Sequence, residues 1–132
     1  MIFLDTSYLA ALAMPADALH APATVWSERL AGPFVTTEYV LVEFMNLLSA
    51  PARRRRAHAV LAGVRANRSI RILPATVNLF DAGVAMHKER SDKSWSLTDC
   101  ISFVVMGEHG ITDALTGDRH FEQAGFRALL RE

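Results

Sequence analysis

The chain begins Met1-Ile2-Phe3-Leu4-Asp5-Thr6-Ser7, four apolar residues that run directly into an acidic one. A short continuous apolar run is typical of a strand that is buried on both faces of a parallel sheet. Asp5 and the two hydroxyl residues after it are favoured at the start of a helix. The sequence therefore predicts a first strand that ends at an acidic residue, followed at once by a helix.

The rest of the chain repeats this alternation of short apolar runs and longer helical patterns. Strands followed by helices indicate an α/β fold, a parallel sheet covered by helices on both faces. No repeat, low-complexity tract or linker interrupts the pattern, so we expect one domain over residues 1–132. Further strands are predicted at 34–36, 70–73, 114–116 and 126–129, and helices at 8–12, 17–30, 38–48, 53–67, 76–90 and 96–108.

Composition excludes several classes of protein. The apolar fraction of 51% is that of a globular chain. No apolar stretch approaches the roughly 20 residues of a membrane span, and no basic region precedes the apolar start, so neither a membrane anchor nor a signal peptide is expected. The single cysteine, Cys100, excludes an internal disulfide and favours a cytoplasmic location.

The net charge of zero hides an uneven distribution. Residues 53–71 contain seven arginines and no acid, whereas the remaining chain has seven basic and fourteen acidic residues. A solvated helix face is one explanation for the run Arg53, Arg54, Arg55 and Arg56. The use of arginine at a helix start, where cations oppose the helix dipole, favours contact with phosphate or carboxylate instead.

Four acids lie in apolar surroundings: Asp5, Glu43, Asp99 and Asp118. Burying an ionised carboxylate is costly unless a cation or good hydrogen bonds compensate it. Taken singly, three of them have structural explanations: a helix cap for Asp5, a capping box with Ser96 for Asp99, and a turn for Asp118. Glu43 lies on or beside the apolar stripe of its helix and has no basic residue within four positions.

Joint placement of the acids suggests a metal site. Ligands of open α/β sheets bind at the carboxyl ends of the strands. If the first and fourth strands are neighbours, Asp5 and Asp118 share that edge. Ligands that are all oxygen select Mg²⁺ or Mn²⁺, the ions commonly used to hydrolyse phosphodiester bonds. A basic surface outside the acidic pocket would bind the rest of a polyanionic substrate.

The segments that carry the acids resemble the four acidic motifs of PIN-domain nucleases, and the compact chain is similar to the VapC-type toxins of toxin–antitoxin pairs. The resemblance covers nearly the whole sequence. The four segments are Met1-Ile-Phe-Leu-Asp-Thr-Ser-Tyr-Leu9, Thr36-Thr-Glu-Tyr-Val-Leu-Val-Glu43, Trp95-Ser-Leu-Thr-Asp-Cys100 and Ala114-Leu-Thr-Gly-Asp-Arg-His-Phe121.

The resemblance implies a PIN-like sheet of about five strands in the order 3-2-1-4-5. It also implies a homodimeric endoribonuclease that uses one or two Mg²⁺ or Mn²⁺ ions and is silenced by a cognate antitoxin. Thr6 and Thr116 match polar positions beside the site that orient ligands or water. The metal-binding and catalytic acids would be Asp5, Glu43, Asp99 and Asp118.

Two other classes compete with this hypothesis. An aspartyl-phosphate phosphatase normally has a second acid two residues after its nucleophile, where this chain has Ser7, and a phosphoacceptor domain needs an aspartate where it has Pro74. A non-toxin RNA-processing or RNA-binding module without strong catalysis remains the main alternative.

Several residues near the motifs are interpreted as structural. Asp113 precedes the fourth strand and should lie at the opposite end of the sheet. His120 is interpreted as structural rather than as a contact to substrate, and Trp95 as a packing residue. Cys100 has no partner base and is not expected to be a nucleophile.

Overall fold

The computed structural model describes residues 1–132, in which five strands form one parallel sheet. The strands are β1 (Ile2–Leu4), β2 (Phe34–Thr37), β3 (Ile70–Leu73), β4 (Asp113–Leu115) and β5 (Arg127–Ala128). Their order is β3-β2-β1-β4-β5 and every neighbouring pair is parallel. The predicted α/β class and strand order are confirmed.

Seven α-helices connect and follow the strands. Six lie where the sequence predicts them, with ends that differ by at most three residues. They are α1 (Thr6–Ala13), α2 (His20–Arg29), α3 (Glu38–Leu47), α4 (Pro51–Ala66), α5 (Val77–Glu89), α6 (Leu97–Glu108) and α7 (Arg119–Gln123).

The carboxyl-terminal part of the fold differs from the prediction in two places. Helix α7 was not predicted, because five residues are too few to show a helical period. The predicted fifth strand at 126–129 is shorter, since β5 ends at Ala128 and a 3₁₀ helix takes Leu129–Arg131. Asp113 is the first residue of β4 rather than the residue before it, and it does lie at the amino end of that strand.

The core is a continuous cluster of 27 buried residues that reaches from Phe3 to Leu130. Phe3 of β1 has no exposed surface and Leu4 only 2%, as expected for a central strand covered on both faces. Below the sheet edge, the ring of Phe103 packs edge-on against Phe121 with centroids 4.9 Å apart. This contact joins α6, which carries Asp99 in its first turn, to α7, whose N-cap is Asp118.

Helix α6 is held closely against α5. Gly83 of α5 faces Ile101 of α6, and a Cβ at Gly83 would clash with Cγ1 of Ile101. Glycine thus permits a close approach of the two helices, which sets the position of the α6 start. None of the helices is both long and apolar enough to cross a membrane.

Candidate active site

The pairing of β1 with β4 brings the first and last acidic motifs together. Leu4 pairs with Leu115, and the N–H of Asp5 donates to the carbonyl of Leu115 at 3.2 Å. Asp5 and Thr116 are therefore neighbours at the carboxyl edge of the sheet, where ligands bind in folds of this kind. Asp118 follows Thr116 by two residues.

Asp5 is held by two hydroxyl groups. Its Oδ2 accepts hydrogen bonds from Oγ1 of Thr116 at 2.7 Å and from Oγ of Ser7 at 2.9 Å. Each hydroxyl also accepts a backbone N–H, from Asp118 and Gly117 respectively, both at 3.0 Å. No donor of the protein reaches Oδ1 of Asp5, so that oxygen is free to bind a ligand.

Asp99 is the third residue of α6 and forms the predicted capping box with Ser96. The Ser96 N–H donates to Oδ2 of Asp99 at 3.1 Å, and the Asp99 N–H donates to Oγ of Ser96 at 3.0 Å. The same Oδ2 accepts from Nδ1 of His120 at 3.0 Å. As in Asp5, one carboxylate oxygen takes all the protein donors and the other takes none.

Asp118 is the N-cap of α7, and its Oδ1 accepts the His120 N–H at 2.8 Å. Nδ1 of His120 lies 3.4 Å from the same oxygen. His120 therefore lies between two acids of the site, although sequence reasoning interpreted it as a structural residue. The sequence contains one indication of this role, which is that His120 follows Asp118 by two residues. The helix that places the two side chains together is too short to be predicted.

Glu43 is half-buried in α3 and takes part in no ion pair. Its charge and that of Asp99 both raise the pKa of Asp5, and the charge of Asp118 raises the pKa of Asp99. Asp5 is thus within electrostatic range of Asp99 and Glu43, and Asp99 is within range of Asp118, so charge effects link the four acids of the sequence motifs.

Burial is the largest cause of the raised pKa values of Asp5 and Asp99. It raises the pKa of Asp5 to about 6, an effect that the hydroxyl donors oppose and the charges of Asp99 and Glu43 reinforce. Burial likewise raises the pKa of Asp99, whereas the hydrogen bond from His120 lowers it. No arginine or lysine pairs with any of the four acids. The only basic side chain that reaches the acids is therefore that of His120.

The donor set fits a hard divalent cation. Ligand atoms of Asp99, Asp118 and His120 lie within 4.8 Å of one another, whereas Asp5 and Glu43 lie outside that group. Carboxylate oxygens without protein donors are the ligands that Mg²⁺ and Mn²⁺ prefer, and an imidazole nitrogen is also acceptable to Mn²⁺. The residues present are compatible with such an ion.

The two predicted threonines behave differently. Thr116 contacts Asp5 directly, whereas the Thr6 hydroxyl donates to the carbonyl of Val40 in α3 at 3.5 Å and bonds to none of the acids. Ser7, which sequence reasoning considered only for helix capping, occupies the supporting position beside Asp5 instead. Thr6 and Ser7 are adjacent hydroxyl residues, and the sequence does not distinguish their roles. Only the tertiary structure, in which Ser7 contacts Thr116, shows that Ser7 is the one that supports Asp5.

The remaining predicted residues lie outside the acidic cluster. The arginines Arg53, Arg54, Arg55 and Arg56 are exposed in the first turns of α4. Trp95 packs as expected, donating Nε1–H to Oε1 of Gln123 at 3.0 Å. Cys100 is fully buried, and burial raises the pKa of its thiol.

Comparison with known proteins identifies the family of the chain. The PIN domain model matches residues 2–127. VapC20 of Mycobacterium tuberculosis, named a 23S rRNA-specific endonuclease, is 34% identical over 128 residues, which are 96% of this chain and 95% of VapC20. The match has the same values in both strains of that organism.

Two solved structures have the same fold. The crystal structure of VapC20, described as a sarcin-ricin loop cleaving toxin, has a TM-score of 0.88 at 31% identity and covers 96% of each chain. FitAcB from Neisseria gonorrhoeae has a TM-score of 0.66 at 16% identity over 97% of this chain and 95% of its own, a likeness of fold alone. The protein belongs to the PIN domain family and is a relative of VapC20.

Proposed function

We propose that this chain is an Mg²⁺- or Mn²⁺-dependent endoribonuclease that acts as the toxin of a toxin–antitoxin pair. The observation that supports the proposal is that Asp5, Glu43, Asp99 and Asp118 are linked by mutual charge effects while no arginine or lysine pairs with any of them. Relationship to an endonuclease over nearly the whole chain supports it. Residues 1–132 would act as one nuclease domain in the cytoplasm.

In this proposal the free oxygens of Asp99 and Asp118 would hold an ion, with the free oxygen of Asp5 and the carboxylate of Glu43 as further metal ligands. A bound divalent ion would supply a Lewis acid for the scissile phosphate. Thr116 and Ser7 fix the Asp5 carboxylate, and their own orientation is fixed by backbone N–H groups of the β4–α7 connection. The chain thus holds its acids in place before substrate arrives, which is what efficient catalysis requires.

The substrate we propose to test first is 23S rRNA, because VapC20 is named for its action on that RNA. A cognate antitoxin is the proposed protein partner. It would have to prevent RNA from reaching the acidic edge of the sheet.

Cleavage should depend on the acids and on the metal. We expect Asp5→Asn and Asp99→Asn to lower kcat/KM for RNA by at least about a hundredfold, since losing even a residue that supports a metal ligand lowers activity or affinity about 10- to 100-fold. EDTA should abolish cleavage, and Mn²⁺ or Mg²⁺ should restore it. The measurement is single-turnover cleavage of 23S rRNA by purified protein.

Asp81→Asn is the matched control, because Asp81 is exposed on α5 and belongs to no motif. Expression of the wild type, but not of Asp99→Asn, should arrest growth of a bacterial host, and the antitoxin should relieve the arrest. Full cleavage by both site variants in EDTA would contradict the proposal. Binding of RNA without cleavage would favour the non-catalytic alternative.

Burial of Asp5 should make stability depend on pH. Because its pKa rises from 3.8 unfolded to about 6 folded, the folded state favours the protonated carboxyl. The associated stability is complete below pH 3.8 and is lost as the pH rises to about 6, a loss of about 3 kcal/mol in the free energy of unfolding. Without metal, Asp5→Asn should avoid this loss, so its stability advantage over wild type should grow across this range.

Urea denaturation at pH 4, 6 and 8 in EDTA measures the free energy of unfolding of the wild type and of Asp5→Asn. The contributions of the other titrating groups cancel in the difference between the two values. Mn²⁺ at pH 8 should stabilise the wild type more than Asp5→Asn. A difference that stays constant with pH would show that the Asp5 carboxyl is not disfavoured in its ionised form.

The exposed arginines of α4 are proposed to contact RNA phosphates. Replacing Arg53, Arg54, Arg55 and Arg56 together by Gln should raise KM at physiological salt while leaving kcat unchanged. The slope of log KM against log salt should fall by up to about three, since each contact with single-stranded phosphate contributes about 0.7. Arg127→Gln is the control, because Arg127 already pairs with Glu132 and Asp113. An unchanged slope would exclude these arginines from substrate binding.

A homodimer is proposed from exposed apolar residues on α5 and α3. Val77, Phe80 and Val84 of α5 are 74%, 42% and 40% exposed and follow one another at helical spacing. Val42 and Leu47 of α3 are 58% and 53% exposed. The two helices are joined at their starts, where the Tyr39 hydroxyl donates to the Thr76 carbonyl at 2.9 Å.

We expect Phe80→Glu to convert the dimer to a monomer, because a charge would be buried in an apolar interface. Light scattering after size-exclusion chromatography gives the mass. Val25→Glu is the control, since Val25 is equally exposed, at 42%, on α2. A wild type that is monomeric at high protein concentration, or a Phe80→Glu variant that stays dimeric, would refute this interface.

A further inference from the structure

We propose that His120 is a positioning residue, which donates its Nδ1–H to Oδ2 of Asp99 and so leaves the other Asp99 oxygen for the cation. The inference rests on the proposed metal-dependent function. It assigns a role to a side chain that lies among the acids but is not one of the four motif acids.

The surroundings of His120 determine which nitrogen carries the proton. Nδ1 lies 3.0 Å from Oδ2 of Asp99 and 3.4 Å from Oδ1 of Asp118. Oδ2 of Asp99 also accepts the Ser96 N–H, and Oδ1 of Asp118 also accepts the His120 N–H, so both oxygens act as acceptors. Nδ1 must therefore be the donor, and among the two neutral tautomers this contact selects Nδ1–H.

Helix α7 is anchored by two residues that follow His120. Phe121 is fully buried, with its ring 4.9 Å from that of Phe103 and 6.4 Å from that of Phe3. One turn later, Gln123 accepts the Nε1–H of Trp95, the residue immediately before Ser96. Helix α7 is thus tied to the middle of α6 through Phe103 and to the residue before its N-cap through Trp95. These contacts restrict the movement of the imidazole away from Asp99.

A metal-ligand role through Nδ1 is the competing assignment, since Nδ1 lies within 4.8 Å of ligand atoms of both acids. The same nitrogen cannot donate a proton to Asp99 and offer a lone pair to an ion. The 3.0 Å distance to Asp99 is that of a well-formed hydrogen bond. The geometry therefore excludes Nδ1 as a ligand and fits positioning, a common role for groups that contact metal ligands.

Two substitutions of His120 separate the roles. His120→Asn keeps an N–H on the atom attached to Cγ, in the place of Nδ1, whereas His120→Ala removes the donor. We expect His120→Ala to weaken Mn²⁺ binding about 10- to 100-fold and His120→Asn to bind nearly as tightly as the wild type. His109→Ala is the matched control, because Nδ1 of His109 bonds the Val105 carbonyl at 3.0 Å, at the other end of α6.

The measurement uses the full chain, with the Kd for Mn²⁺ from electron paramagnetic resonance titration and thermal unfolding to confirm folding. Long-range ¹H–¹⁵N NMR of the metal-free protein should show His120 as the Nδ1–H tautomer. Pulsed electron paramagnetic resonance of the Mn²⁺-loaded wild type should show no coupling to an imidazole nitrogen.

Three results would overturn the inference: equal Mn²⁺ affinity in wild type and His120→Ala, nitrogen coupling to bound Mn²⁺, or an Nε2–H tautomer. Failure of the proposed function can be distinguished from failure of the positioning role. A wild type that binds no Mn²⁺ and cleaves no RNA contradicts the proposed function directly. In that case the NMR tautomer of the metal-free protein still decides the contact between His120 and Asp99.

Discussion

The hydrogen bond from the Thr116 hydroxyl to Oδ2 of Asp5, 2.7 Å long, joins the ends of β1 and β4 at the centre of the sheet. It forms only because these strands are parallel neighbours in register, with Leu4 opposite Leu115. The same hydroxyl accepts the Asp118 N–H and so sets the start of α7. The first and last acidic motifs, more than 100 residues apart in the chain, are therefore placed by one contact.

The buried acids of the site lower the stability of the folded protein. Burial opposes ionisation of Asp5 and Asp99, and the neighbouring acids add repulsion that only hydroxyl, backbone and imidazole donors offset. An ordinary core would replace such groups by apolar residues or pair them with arginine. Here each of the three aspartates has one oxygen satisfied by the protein and one that is not, which is the arrangement a cation-binding site requires. The free energy lost on folding becomes available when an ion binds.

Much of this was accessible from the chain alone. The apolar run at 1–4 predicts a strand because a fully buried parallel strand has no polar face, and the short runs at 34–36 and 70–73 predict two more. Ser96 and Asp99 predict a capping box because that pair satisfies N–H groups within a single turn. Helix α7 was not predicted, because five residues are too few to show a helical period. Without that helix, the sequence did not indicate that His120 lies near the acids. Ser7 and Thr6 could not be told apart, because their roles depend on contacts 34 and more than 100 residues away.

The sequence by itself determined the α/β class, the positions of the main elements and the four acids, since these depend on local patterns and recurring motifs. Tertiary structure alone decided which oxygens of those acids are satisfied, that Ser7 rather than Thr6 supports Asp5, and that His120 lies between Asp99 and Asp118. The physical reason is that a hydrogen bond depends on distances of a few tenths of an ångström between residues far apart in the chain. Such distances exist only once the sheet has formed and the helices have packed against it.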